Sequence, residues 1–131
     1  MPYRASPFLR RVLLADAAAS AVAGLAMLLG AGLLEPLLGI AAALLRAVGL
    51  AFLAYAAVVA YLGMHVRVAS PAVQAVVAVN ALWAAASILV LLTGWIAPTP
   101  LGYAFVIGQA LAAAVFGALE QMGLRRPTAS A

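Results

Sequence analysis

The 131 residues contain no cysteine, and none of the basic residues is lysine. The first absence excludes disulfides, thiolate metal sites and cysteine nucleophiles. Charge of either sign is scarce, with 7 basic residues, all arginine, 3 acidic residues and 1 histidine. A soluble domain commonly carries about 25% charged residues, whereas this chain carries 8% and is 69% hydrophobic, with a mean hydropathy of +1.21. Too little polar side chain is present to cover a globule in water. In a bilayer that apolar surface is the natural exterior, provided helices satisfy every backbone N–H and C=O internally. The class that follows is an all-α membrane protein.

Further exclusions come from the few polar residues. With one histidine and no cysteine, a metal or haem held by two protein ligands is not expected, and no cofactor is assigned. Ser20 and Ser87 have no histidine within their apolar runs, so Ser-His-Asp hydrolysis has no support and no enzyme is expected. A net charge of +4 would point to nucleic acid in a soluble protein. Here no basic face with interleaved aromatics exists, so nucleic acid is not an expected partner and the arginines read as a topology signal.

What is present is length. Val12 to Leu34 is a run in which Asp16 is the only charge, long enough for a hydrocarbon core of roughly 30 Å at about 1.5 Å per residue. Punctuation divides the chain into four spans, approximately 8–34, 38–64, 71–96 and 101–122, followed by a loose polar tail over 123–131. Ser6-Pro7 and Ser70-Pro71 read as helix starts, Glu35-Pro36 as the end of the first span, and Gly123 as a C-cap of the last. Met1 to Ala23 has some features of a signal peptide, but its apolar run continues to Leu34, so a membrane anchor is expected. Short turns make neighbouring spans antiparallel. Arg4, Arg10, Arg11, His65, Arg67, Arg125 and Arg126 then gather at one end and Glu35 at the other. This predicts a multi-pass inner-membrane protein with both termini cytoplasmic. Tyr3, Tyr61, Trp95 and Tyr103 fall near the predicted interfaces.

An offset of 64 aligns the rarer residues of the two halves: Ser6-Pro7 with Ser70-Pro71, Asp16 with Asn80, Gly30 with Gly94, Pro36-Leu37 with Pro100-Leu101 and Phe52 with Phe116. The expected architecture is thus an antiparallel four-transmembrane-helix bundle, with two parallel hairpin repeats as its internal symmetry. Two antiparallel hairpins crossing one bilayer would share turn spacing without any repeat, though this leaves Asp16 opposite Asn80 unexplained.

The polar groups within the spans are the candidate site: Asp16, Ser20, Asn80, Trp83, Ser87 and Gln109, with Arg46 and Glu120 as secondary candidates. Asp16 and Asn80 each lie nine residues past a helix-starting proline, about 14 Å down the axis. An unpaired carboxylate at that depth costs about 3 kcal/mol or more, so Asp16 must face the interior or a wet cavity. Two readings stand: an Asp16–Asn80 interhelical staple, which is preferred, or a solute or proton site with Asp16 as the titrating group. Glu120, five residues from Arg125, reads as an ion pair at the cytoplasmic rim. Arg46 is expected to extend outward or meet Glu35, with an anion-binding cleft shared with Gln109 as the alternative. The small-residue stripes Ala104-Gly108-Ala112 and Ala113-Gly117 permit close helix contacts within one bundle or between copies.

Asn80-Ala-Leu-Trp83 and Gly123-Leu-Arg-Arg126 resemble segments of small uncharacterised four-helix bacterial inner-membrane proteins, over most of the chain. The resemblance implies a membrane location and no activity. The expected function is an accessory, structural or interaction role among partners that include the lipid bilayer, another membrane protein or a second copy. A small transporter or proton-coupled carrier is the alternative.

Overall fold

The computed structural model describes residues 2–65 and 67–125, with backbone alone for residues 2–4. Its elements are β1 (Pro2–Arg4), α1 (Pro7–Leu29), α2 (Ala31–Leu38), α3 (Ala42–Met64), β2 (Arg67–Ala69), α4 (Ser70–Thr93) and α5 (Pro100–Arg125). Four of the helices, α1, α3, α4 and α5, are long and apolar enough to cross a membrane. They form an all-α four-helix bundle whose outer surface is hydrocarbon: Leu29, Leu33, Leu92, Val22 and Leu82 are all more than two-thirds exposed. A surface of this kind is stable in lipid and aggregates in water.

Helix α1 begins as its residues dictate. The Ser6 hydroxyl accepts the Leu9 N–H at 3.1 Å, and Pro7 takes the first helical position, where a missing N–H costs nothing. The far end differs from expectation. The break falls at Gly30, not at Glu35-Pro36, and Pro36 lies inside the short helix α2. A Cβ on Gly30 would stand 2.7 Å from the Ala26 carbonyl oxygen, so glycine there lets the chain bend tightly. So short a helix gives up a single ladder bond at its proline. Gly39, at φ 69, ends α2 in the left-handed region, and α3 therefore starts at Ala42, later than the spacing predicts. The Ala42 N–H donates to Glu35 Oε1 at 3.1 Å, a carboxylate placed where the helix dipole favours it.

The other boundaries shift for local reasons. Ser70 is already helical and makes no cap bond, because β2 runs to Ala69 and the chain enters α4 directly from it. The ladder of β1 and β2 is antiparallel, with Tyr3 opposite Val68, and it holds the N-terminal segment beside the α3–α4 connection. Helix α5 continues to Arg125, so Gly123 is buried within it and is not a cap. The expected tail is thus helical through Arg125, and its remainder, 126–131, lies outside the described residues, as do the side chains of Tyr3 and Arg4.

Glycine governs how closely the helices approach. On α3, Gly49, Ala56 and Gly63 recur every seventh residue and are all buried. Gly49 lies against the Gly24 carbonyl of α1, and Gly63 against Leu13 and Leu14, so contacts along the two helices run in opposite chain order. Arg10 closes this pair by donating to the Gly63 and Met64 carbonyls at 3.3 and 3.5 Å, two of the free acceptors at the end of α3. Gly123 receives Leu9 of α1, and Gly117 lies beneath Asn80 of α4. At the opposite end Thr99 bonds to the Leu37 and Leu38 carbonyls, and Gly102 packs against Leu38. Helices α3 and α4 meet mainly through side chains. Two apolar clusters fill the ends of the bundle, one around Leu9, Leu13, Val59 and Val73, the other around Met27, Leu45 and Val106.

The two stripes of small residues separate in space. Ala113 and Gly117 face inward, whereas Ala104, Gly108 and Ala112 are exposed. A matched pair of substitutions tests the packing argument. A Cβ at Gly49 would lie 2.8 Å from backbone atoms of Gly24 and Leu28, while one at Gly108 meets nothing within 4 Å. Gly49→Ala is expected to lower stability in detergent by about 1–3 kcal/mol through overpacking. Gly108→Ala should be neutral or stabilising by up to about 1 kcal/mol. Equal melting shifts for the two variants would contradict close α1–α3 contact.

Candidate functional site

Between the two apolar clusters lies a polar layer to which every long helix contributes. From α1, Asp16 is 2% exposed. Its Oδ1 accepts the Ser20 hydroxyl at 3.3 Å, and its Oδ2 accepts both the Tyr55 hydroxyl of α3 at 2.6 Å and the Asn80 side-chain N–H of α4 at 3.2 Å. The same Asn80 nitrogen donates to Glu120 Oε1 of α5 at 2.8 Å. An amide nitrogen carries two hydrogens, and both are committed. Glu120 is fully buried, and its Oε2 has no hydrogen-bond partner.

These positions bring two of the expected residues together and place a third elsewhere than expected. Asp16 and Asn80 meet directly, as the interhelical hydrogen bond requires. Glu120 does not form the expected ion pair at the rim. Because α5 is helical to Arg125 and Glu120 belongs to its inward face with Gly117 and Gly123, the carboxyl turns to Asn80 while Arg125 is exposed. Two of the three acidic residues of the chain therefore converge on one amide. Their acceptor oxygens are within about 6 Å of each other, a range in which like charges disfavour one another. Among the described residues, no arginine or histidine is hydrogen-bonded to either carboxyl.

The remaining primary candidates form a second group, about one to three turns away along their helices. The Trp83 indole N–H donates to Gln109 Oε1 at 2.6 Å, and Gln109 Nε2 donates to the Ser87 hydroxyl at 3.0 Å and to the Val106 carbonyl at 2.9 Å. Ser87 in turn donates to the Trp83 carbonyl at 2.7 Å. Trp83 also reaches across to α3, where its ring meets Phe52 edge-on, with centroids 5.4 Å apart. Arg46 joins neither group. It is exposed near the start of α3, and Glu35 caps Ala42 instead of pairing with it, so an anion cleft shared by Arg46 and Gln109 does not form.

Two cavities flank the Phe52–Trp83 contact. One, of about 190 Å³, is lined by Asp16, Ser20, Tyr55 and Asn80 on its polar side and by Phe52, Trp83 and Phe116 elsewhere. The other, of about 270 Å³, is apolar but for Ser87 and Gln109, and extends to Trp95, Ile96 and Phe105. Phe52, Trp83 and Gln109 are common to both. No group of three or more histidine or acidic side chains suited to a metal ion occurs among the described residues.

No protein-family model, curated protein or solved structure matches the chain. The polar layer itself is then the feature from which a function can be read. Tyr55 is the member that sequence reasoning missed; the available signal was a tyrosine hydroxyl mid-span, where an unpaired hydroxyl is costly. Tyr55→Phe removes the shortest donor to Asp16 and is expected to destabilise the bundle by about 1 kcal/mol. Tyr61→Phe alters an exposed ring and should leave the melting temperature in detergent unchanged. Identical melting curves for both variants would show that the Tyr55 bond contributes nothing.

Proposed function

We propose that this chain is a small membrane carrier whose charge-bearing group is the Asp16–Asn80–Glu120 layer, with Tyr55 holding Asp16 in place. The observation that supports this most is the second carboxyl. A staple needs one acceptor and one donor, and Asp16 with Asn80 supplies both. Glu120 adds a buried carboxyl with an unsatisfied oxygen beside the first. Two adjacent negative charges in a low-dielectric interior are unstable without a proton or a cation between them. The layer also borders a cavity, which a staple does not require. The structural reading retains one favourable observation, the direct Asp16–Asn80 bond, and the variants below separate the two.

Asp16→Asn and Glu120→Gln preserve shape and hydrogen-bonding capacity but cannot hold a charge. In proteoliposomes with an internal pH dye, the wild-type chain is expected to couple proton movement to the gradient of at least one member of a panel of cations and anions. Both variants should lose that coupling while melting within a few degrees of wild type. Wild-type flux at the empty-liposome background throughout the panel would count against a carrier. Unchanged flux in folded Asp16→Asn would remove the layer from the mechanism.

Orientation and symmetry belong to the same proposal. The end that carries Arg10, Arg11, His65, Arg67 and Arg125 is assigned to the cytoplasmic side of an inner membrane, by the excess of arginine there. The helix pairs α1–α3 and α4–α5 are taken as two hairpin repeats, supported by Pro7 and Pro71 in their first turns and by Gly30 and Gly94 at the ends of α1 and α4. Helix α2 has no counterpart in the second half. Single cysteines test the orientation without interference from native thiols. Gly32→Cys, where an added side chain meets nothing within 4 Å, should react with an impermeant thiol reagent in intact cells. Arg67→Cys should react only after permeabilisation, and the opposite pattern would reverse the topology.

A further inference from the structure

We propose that the cavity beside Asp16 binds an organic monocation, an ammonium ion carrying an apolar or aromatic body, with the Asp16 carboxyl, coupled to Glu120 through Asn80, as its counter-charge. This assignment rests on the carrier reading and specifies the ligand of that same site.

Charge sets the sign. Asp16 from α1 and Tyr55 from α3 are the ionisable groups that line the cavity, beside the neutral Asn80 from α4; Glu120 from α5 does not line it and joins the layer through Asn80. No positive side chain is bonded to any of them among the described residues, so an anion would find repulsion and no partner. Lining chemistry then separates inorganic from organic cations. A hard ion such as magnesium or calcium needs about six or more oxygen ligands in a close shell. Asp16, Ser20 and Tyr55 supply few, and the rest of the wall is aromatic or aliphatic.

Phe52, Tyr55, Trp83 and Phe116 bring four rings to one cavity, and the faces of such rings attract ammonium groups, most strongly where water is excluded. The space is adequate. An apolar cavity of about 150 Å³ takes up benzene, and this one measures about 190 Å³. A longer apolar substituent has somewhere to go, since the second cavity shares Phe52, Trp83 and Gln109 as a common wall.

The exchange balances charge without a redox or covalent step. A monocation enters beside the carboxyl pair, and one proton leaves the pair for solvent. The net charge of the layer is the same before and after, so neither state leaves both carboxyl charges uncompensated in the membrane.

The test uses the full chain in detergent with Trp95→Phe, which leaves Trp83 as its single indole. Benzyltrimethylammonium is titrated against its neutral carbon isostere, neopentylbenzene, and against benzenesulfonate, with Trp83 emission and an external pH indicator read together. Saturable binding of the ammonium ion is expected, with about one proton released per ion bound, and at least tenfold weaker binding of the other two. Asp16→Asn should weaken the ammonium ion at least tenfold and abolish proton release. If Asp16→Asn melts early, Phe116→Leu replaces it. That variant should weaken the ammonium ion severalfold and leave the neutral isostere unchanged. Equal affinity for ammonium ion and isostere, or unchanged ammonium affinity in folded Asp16→Asn, overturns the proposal. Flux assays on the same protein divide the two claims. Ammonium binding without transport keeps this assignment and defeats the carrier, whereas proton-coupled flux of inorganic ions alone, without ammonium binding, does the reverse.

Discussion

One amide nitrogen with two hydrogens connects three of the four long helices. Asn80 of α4 gives one hydrogen to Asp16 of α1 and the other to Glu120 of α5, and Tyr55 adds α3 to the chain of bonds by donating to Asp16. In a hydrocarbon medium no water is available to replace a lost partner, so each of these groups is stable only where the others hold it. The layer therefore sets the rotation of each helix about its axis. Once Asp16, Tyr55, Asn80 and Glu120 point to one place, the remaining faces follow: leucine and valine outward, and the two apolar clusters above and below.

That convergence demands short distances between backbones. Side chains as short as Asp and Asn bridge helices only if the helices nearly touch, and glycine is what permits it. Gly24 and Gly49 bring α1 and α3 together, Gly117 seats Asn80 on α5, and Gly123 admits Leu9 between α1 and α5. Helices α3 and α4 have no such glycine contact between them. Their separation is bridged by Phe52 and Trp83, with cavities on either side of that contact. The open space in this bundle thus lies where the small-residue contacts stop.

The class and the four spans were legible because apolar length is a global signal that survives local irregularity. Asp16 and Asn80 were legible too, as rare residues at matching distances from helix-starting prolines. Where the structure departs from these expectations the cause is shared: distance along the chain is a poor measure of depth in the bundle. The nearness of Arg125 in sequence points Glu120 to the rim, yet α5 is helical through both and turns Glu120 inward. Pro36 drew the helix boundary away from Gly30, where the chain bends. The Gly49, Ala56, Gly63 repeat was hidden by composition, since a chain rich in glycine and alanine offers many such stripes. Only packing distinguishes it from Ala104-Gly108-Ala112, which is exposed.

A polar layer serving cohesion alone would be matched, with every acceptor meeting a donor. Asp16 meets that standard, because Ser20, Tyr55 and Asn80 satisfy both of its oxygens. Glu120 as a carboxylate does not, since its Oε2 meets no donor, and it is the most deeply buried polar side chain of the chain's described part, at 0% exposure. Removing its charge by substitution would cost the bundle little and spare it a repulsion, since buried ionic groups are often replaceable by neutral ones of similar shape without loss of stability. A second carboxyl thus adds nothing that a joint needs, and the carrier proposal gives it a use. On the carrier proposal, the missing donor is supplied by what occupies the layer, a proton in one state and a cation in the other, and the four rings around the cavity suit a cation with an organic body.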